Sequence, residues 1–376
     1  MINLCPNKQV CGSCSWSDIS YPDQLEKKLN SINESLSSAG FGAVCENIEP
    51  SPKTSHYRNR MDFSIDYRGN IGLKEKGKWW KVIDNHTCFI GDEKIEELFH
   101  KCRDWIKTSG FSYCDRKTQK GLLEALVIRH TTTGESMINI VTGPDFVETN
   151  EPIIKDKLLE LSSFVKSTTL IWSVNHSIAD VSFGDEMKIV SGEGFIEEQV
   201  NGIKYKITPN SFFQTNSYAA RVLQDTVLDF AGISKAKKAL DLYCGSGFFT
   251  LPLSKMFQEI RGIEIALEAV EIARENARAN NLYAEFSCGK TEDYDWENLK
   301  PNLVVVDPPR SGLHPNVIKT LLDKKPSRVI YVSCNYQRFS EEMLKFSGSY
   351  KLTKVVAVDM FPHTPHVELV SLLTIR

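Results

Sequence analysis

Three short stretches carry residue types suited to chemistry, and each follows an apolar run. Asp241-Leu-Tyr-Cys-Gly-Ser-Gly247 ends one such run and opens a helical pattern. Gly245 and Gly247 lack a Cβ, so a ligand can approach their backbone, and ligands of open α/β sheets bind beyond the carboxyl ends of strands. Glu264 ends the next apolar run, 23 positions after Asp241. An acid there can accept both ribose hydroxyls, which points to a nucleotide or S-adenosylmethionine. Asp307-Pro-Pro-Arg-Ser-Gly312 follows a further run. Its two prolines fix the loop and lack an N–H, leaving neighbouring carbonyls free to face a ligand. Ser333-Cys334-Asn335 follows RVIYV and sets a thiol beside the same crevice, where it can act as a nucleophile.

Two more groups lie upstream. Cys5, Cys11 and Cys14, with Cys88 far downstream, fit a four-thiolate site for zinc or an iron–sulfur cluster, and spacing leaves both open. The other five cysteines (Cys45, Cys102, Cys114, Cys244 and Cys288) lack such a pattern and read as packing residues. HYRNRM and KEKGKWWK form a basic stretch that could hold phosphates, while Tyr57, Trp79 and Trp80 stack on unpaired bases. Arg58, Arg60 and Phe212 are the expected RNA contacts.

The elements that position these groups change character along the chain. Residues 22–38 read as an amphipathic helix with Pro22 near its start and Gly40 beyond its end. From about Pro50 to Pro209 short alternating runs predict a β-rich segment with one helix near Asp92–Lys107. After Phe212 strand and helix patterns alternate, as in a parallel doubly wound sheet, and the chain closes on a strand pair.

A chain of 376 residues suggests two or three domains, and 41% hydrophobic with 25% charged residues excludes a mainly disordered or collagen-like protein. Net charge is only -3, yet residues 53–81 hold eight Lys/Arg against three acids, and residues 259–307 hold eleven acids against five bases. No apolar run approaches the roughly 20 residues needed to span a bilayer, and no signal-peptide core is evident. A cytoplasmic monomer with reduced thiols and no membrane partner is therefore expected.

LDLYCGSGFFTLPL, VDPPRSGL, YVSCN, MFPHTPHVE and the upstream SFFQTN (211–216) together resemble the S-adenosylmethionine-dependent RNA uracil-5-methyltransferases. The resemblance implies an α/β fold: a Rossmann-like seven-stranded methyltransferase domain (211–376) plus a smaller β-rich, cluster-bearing domain (1–16 and 50–210). Residues 17–49 would pack on the catalytic domain. It also implies that Cys334 is the nucleophile and Glu368 the base. Gln214, Tyr243, Glu264 and Asp307 would line the cofactor and uracil pocket. Phe248 replaces an Asn that contacts the cofactor in some members. His363 and His366 flank the base and read as structural.

On the matching cysteines the resemblance favours a [4Fe-4S] cluster over zinc. With Cys5 so near the first residue, no room remains for the RNA-binding barrel with which many relatives begin. The chain thus looks like the short 23S ribosomal-RNA branch that forms 5-methyluridine at position 747. Position 1939, or position 54 of tRNA, remains an alternative. A rival of another class is a cluster-carrying RNA-binding protein with a vestigial methyltransferase fold, against which the Cys334 and Glu368 pair argues. An amino-methyltransferase of the Asp-Pro-Pro-aromatic type would need an aromatic where Arg310 stands.

Overall fold

A computed structural model describes residues 5, 7–41, 45–86, 88–145, 147–179, 181–232, 234–296 and 299–376. Residues 1–4 and 42–44, which fall in the expected domain ranges, lie outside the described residues, as do 6, 87, 146, 180, 233, 297 and 298.

In chain order the first elements are α1 (Lys8–Cys11), α2 (Tyr21–Ser38), β1 (Ile48–Glu49), β2 (Arg60–Ile65), β3 (Ile71–Glu75), β4 (Lys78–Asp84) and α3 (Glu93–Thr108). Next come β5 (Leu123–His130), β6 (Ser136–Thr142), α4 (Val147–Val165), β7 (Thr169–Val174), β8 (Glu186–Ser191), β9 (Ile196–Val200) and β10 (Ile203–Ile207). The third run is α5 (Ser217–Ala231), β11 (Ser234–Leu242), α6 (Thr250–Leu253), β12 (Phe257–Glu264), α7 (Leu267–Ala279) and β13 (Glu285–Cys288). The chain ends with β14 (Leu303–Val306), α8 (Pro315–Lys324), β15 (Arg328–Ser333), α9 (Tyr336–Phe346), β16 (Tyr350–Val358) and β17 (Glu368–Ile375).

The contacts divide the chain into two units: Met1–Asp18, Thr54–Gln199 and Lys206–Ser217 form the first, and the remainder forms the second. The first unit is built on a sheet ordered β4-β3-β2-β5-β6-β7-β8. In β2 the side chains alternate, so Met61, Phe63 and Ile65 are buried. They face α3, whose Ile95, Leu98, Phe99, Cys102 and Ile106 recur at helical spacing, and the Phe63 and Phe99 rings lie 4.2 Å apart. One sequence expectation needs correcting, because this segment holds a second long helix, α4. β6 and β7 are parallel, so the chain must cross over between them, and α4 makes that crossing. Ile154, Leu158, Leu161 and Val165 are its buried stripe, while Pro152 interrupts the pattern near its start.

The second unit is built on a sheet ordered β1-β16-β17-β15-β14-β11-β12-β13, in which β17 alone runs antiparallel to its neighbours. Eight strands are present among the described residues, where seven were expected. The extra one is β1, which pairs parallel with Ala357–Val358 across more than 300 residues of sequence. From β11 the chain builds outward through β12 and β13, then returns to place β14 on the other flank of β11. The strand order therefore reverses between β11 and β14, and a crevice opens beyond their carboxyl ends. α2 belongs to this unit. Ser20 accepts a hydrogen bond from the Asp23 N–H at its start, and Ile32 and Leu36 join the core beside Phe339 and Met343 of α9.

Two boundaries differ from the sequence expectation. Residues 211–217 group with the first unit, held by Asn59, which donates to the Gln214 carbonyl (3.0 Å) and the Ser217 hydroxyl (2.7 Å). The β9–β10 turn at Asn201-Gly202 has positive φ at both residues, as a two-residue hairpin requires. Its tip, 200–205, groups with the second unit because Asn201 binds Asp225 and the Lys204 N–H binds Asn280.

Candidate active site

In the second unit the strand ends collect seven of the residues singled out by sequence. β11 ends at Leu242, and the chain then turns sharply, with Tyr243, Gly245 and Gly247 all at positive φ. Such a turn is costly for Tyr243 and free for the glycines. Glu264, at the end of the neighbouring β12, accepts from the Gly245 N–H at 3.1 Å and the Ala266 N–H at 3.0 Å. It thus ties the glycine loop to β12 and keeps lone pairs on both oxygens for a ligand. Beneath the loop, Asp241 is fully buried and accepts from Thr250 at 2.5 Å. Burial, together with the charge of Asp307, pushes its carboxyl up to about 7. Phe248 is buried against Tyr205 and Phe249, so its ring is a core element.

Asp307 follows β14 directly, and desolvation raises it to about 7 as well. The loop after it turns at Gly312 (φ +86), where a Cβ would lie 2.2 Å from a Glu342 carboxylate oxygen. Glu342, buried on α9, accepts from the Leu313 N–H (3.1 Å), the Tyr331 hydroxyl (2.8 Å) and Arg338 (3.0 Å). Arg338 also donates to the Ser311 carbonyl at 3.0 Å, and Asn335 donates to the Arg310 carbonyl at 3.3 Å. The proline loop is therefore fastened to the start of α9, immediately after Cys334. Asn335 is also the N-cap of that helix, accepting from the Arg338 N–H at 3.1 Å.

Cys334 and Glu368 meet through the register of an antiparallel pair. Ser333 of β15 lies opposite Leu369 of β17, so the next step up one strand and down the other sets Cys334 beside Glu368. Burial, then the charges of Glu368 and Asp307, push the thiol up to about 11, while Arg310 pulls it down. Glu368 itself is buried and held well above the usual carboxylate range by desolvation and by Asp307.

The loop from Asp359 to Val367 that delivers Glu368 is gripped by α2. Lys28 donates to Asp359 at 2.6 Å and to the Phe361 carbonyl at 3.1 Å, and both ionic side chains are wholly buried. Gln24 accepts from the His363 N–H at 2.7 Å and donates to its ring nitrogen at 3.0 Å. Sequence reasoning missed Lys28, Gln24 and Glu342. A signal existed for two of them, since Gln24 and Lys28 continue the every-fourth-residue stripe of Ile32 and Leu36 toward the helix start.

The first unit holds the other expected residues. Gln214 is buried and Phe212 is 76% exposed. Arg60 is engaged by Asp62 at 2.7 and 3.0 Å, and Arg58 donates to the Arg60 carbonyl while its charge stabilises the Cys88 thiolate. Tyr57 is buried, which removes it from the expected stacking set, whereas Trp79 and Trp80 are half-exposed. Cys288 is exposed and so is no packing residue.

Cys5, Cys11, Cys14 and Cys88 are all buried. A hydrogen bond between Cys14 and Cys88 raises the first thiol and lowers the second. Cys14 also feels the charges of Cys5 and Cys11. Among the described residues no group of three or more His, Cys, Asp or Glu is placed so that it could hold a metal ion, so the four-cysteine site expected from the sequence is not seen.

A reversed strand order, a glycine turn after its central strand and an acid closing the next strand define a Rossmann-like methyltransferase fold that uses S-adenosylmethionine. Residues 170–376 match the model of the tRNA (uracil-5-)-methyltransferase family, and the chain belongs to that family. It is an S-adenosylmethionine-dependent RNA uracil-C5 methyltransferase. The tRNA (uracil(54)-C(5))-methyltransferase of Pyrococcus horikoshii is 37% identical, over 97% of this chain and 84% of its own length. An uncharacterized RNA methyltransferase of Caldanaerobacter subterraneus is 36% identical over 98% and 84%. The crystal structure of the Pyrococcus abyssi tRNA (uracil-54, C5)-methyltransferase with S-adenosyl-L-homocysteine superposes with a TM-score of 0.82. It is 35% identical and covers 96% of this chain and 85% of that one. No described helix is long and apolar enough to cross a membrane.

Proposed function

We infer that this chain methylates C5 of uridine 54 in tRNA, with Cys334 as nucleophile and Glu368 as base. The observation that carries the chemistry is the β15–β17 register, which sets a thiol and a buried carboxyl side by side at the crevice. C5 of uracil is a poor nucleophile. Addition of the Cys334 thiolate to C6 makes the S–C6 bond and leaves an enolate whose C5 can take a methyl group. S-adenosylmethionine supplies that methyl as a sulfonium substituent. Glu368 then accepts the C5 proton as the S–C6 bond breaks, restoring the ring double bond and the free thiolate. Its raised affinity for protons suits a base that must take hydrogen from carbon. Tyr243, Gly245, Gly247, Glu264 and Asp307 line the cofactor side.

The target rests on relatives such as the Pyrococcus horikoshii enzyme, which is matched over 97% of this chain. Labelled methyl incorporation into a tRNA transcript tests the reading, with uridine 54 replaced by cytidine as control. Transfer to the unmodified transcript alone is expected. Transfer only to a 23S fragment containing position 747 would restore the ribosomal assignment.

The four thiols suit a [4Fe-4S] cluster, with Cys5, Cys11, Cys14 and Cys88 as ligands. The resemblance implies that set, and what supports it is that all four cysteines are buried and belong to the first unit. Anaerobically purified protein should show visible absorption that Cys11→Ser abolishes, whereas one bound zinc and no colour would identify the simpler metal.

A further inference from the structure

On the reading that the substrate is RNA, we propose that the β3–β4 hairpin is a docking surface for an unpaired stretch of it. Bases would stack on Trp79 and Trp80, and phosphates would lie on the surrounding lysines. β4 is the outermost strand of its sheet, and its first four residues, Lys78 to Lys81, are all exposed. Neighbouring strand residues point to opposite faces, so two indoles that are 51% and 53% exposed show that neither face of the hairpin is covered there. The rings meet edge to face, with centroids 5.8 Å apart. Half-exposed tryptophans contribute little to a core and much to a stacking platform.

The charge around them selects the partner. Residues 74–81 hold four lysines and one acid, Glu75. Glu75 pairs with both Lys78 and Lys81, so two ammonium groups are positioned by one carboxylate and retain a net positive charge. Aromatic rings ringed by positive charge complement a polyanion with exposed base faces. A duplex hides those faces, so the complement is single-stranded.

The hairpin is anchored by the cysteine-bearing segment. The Lys76 N–H donates to the Val10 carbonyl at 2.8 Å, and the Lys76 methylenes pack over Gly12, whose φ is +69. At the far end of β4, Asn7 bonds His86 at 2.7 Å, two residues before Cys88. Both ends of the platform are thus tied to the segment that gathers the four thiols.

The test uses the full chain and fluorescence anisotropy of a labelled single-stranded oligoribonucleotide, free or annealed to its complement. The expected result is preference for the free strand, with Trp79→Ala and Trp80→Ala each weakening it about tenfold and Trp79→Phe keeping most of the affinity. Lys78→Gln with Lys81→Gln should flatten the salt dependence by about 0.7 per lost contact. S-adenosylhomocysteine affinity and thermal unfolding should not move, which shows that the variants fold. Undiminished affinity in the double alanine variant overturns the proposal, as does equal loss on the duplex. A wild-type chain that binds RNA through these tryptophans yet methylates none would fail the functional reading and leave the surface standing. Efficient methylation with no dependence on them would do the reverse.

Discussion

At the scale of single residues, the site is governed by three acidic groups sharing a small volume. Glu368 and Asp307 both raise the Cys334 thiol, and Arg310 opposes them. Removing either carboxylate charge should therefore lower the thiol from about 11, and Arg310→Ala should raise it. The rate of iodoacetamide labelling against pH measures this directly. Asp307→Asn and Glu368→Gln should shift the profile to lower pH, and unmoved profiles would remove the carboxylates from the thiol's surroundings. The same pair should fail at different steps of catalysis. Cys334→Ala forms no C6 adduct and should show neither transfer nor a covalent complex. Glu368→Gln permits addition and methylation, but the C5 proton stays in place and elimination stops. On a denaturing gel, methyl-labelled RNA should then migrate with the protein in that variant alone. His366→Gln is the control, since His366 stands two residues earlier. If that variant traps the adduct while Glu368→Gln turns over, the base is misassigned.

At the scale of elements, Glu368, the proposed base, follows a loop that α2 holds from a distant part of the chain. The Lys28–Asp359 pair is fully buried, and breaking one side of such a pair leaves an uncompensated charge at a cost of about 3–5 kcal/mol. Lys28→Met should lower unfolding stability by that order in a urea titration. It should also depress kcat more than KM, because the loop that aims Glu368 is loosened while RNA contacts are untouched. Asp359→Asn on the Lys28→Met background should recover part of the stability by removing the stranded charge. If kcat is unchanged once stability is corrected for, α2 has no part in aiming the base. α9 does the equivalent work for the proline loop, through Glu342 and Asn335.

At the scale of the whole molecule, the thiols and the methyltransferase fold occupy separate units. Cys14→Ser or exhaustive chelation should therefore lower the unfolding temperature of the first unit by several degrees. S-adenosylhomocysteine binding, measured by calorimetry, should stay within twofold of the intact protein. A matching loss of cofactor affinity would show that the two units do not act independently.

The sequence alone carried whatever depends on short spacing. The glycine turn, the proline loop and the Cys334 motif were legible because each is a local signal at the edge of a periodic run, whereas the Glu368 loop was singled out only by its resemblance to the family. α2, α3 and the parallel strands were legible because amphipathic periods repeat within one element. Long-range pairing decided the rest. The two-residue β1 has no period to read and exists only by pairing with β16. α4 was hidden behind Pro152 and an otherwise β-rich neighbourhood. Tyr57 has the composition of an RNA-stacking residue, but the tertiary fold buries it while leaving Trp79 and Trp80 outside. Lys28 meets Asp359 across 331 residues, and no local pattern names that partner. Chemistry was written in residue types at fixed spacing; which charges are buried, and against what, was decided only when distant segments packed and water was excluded.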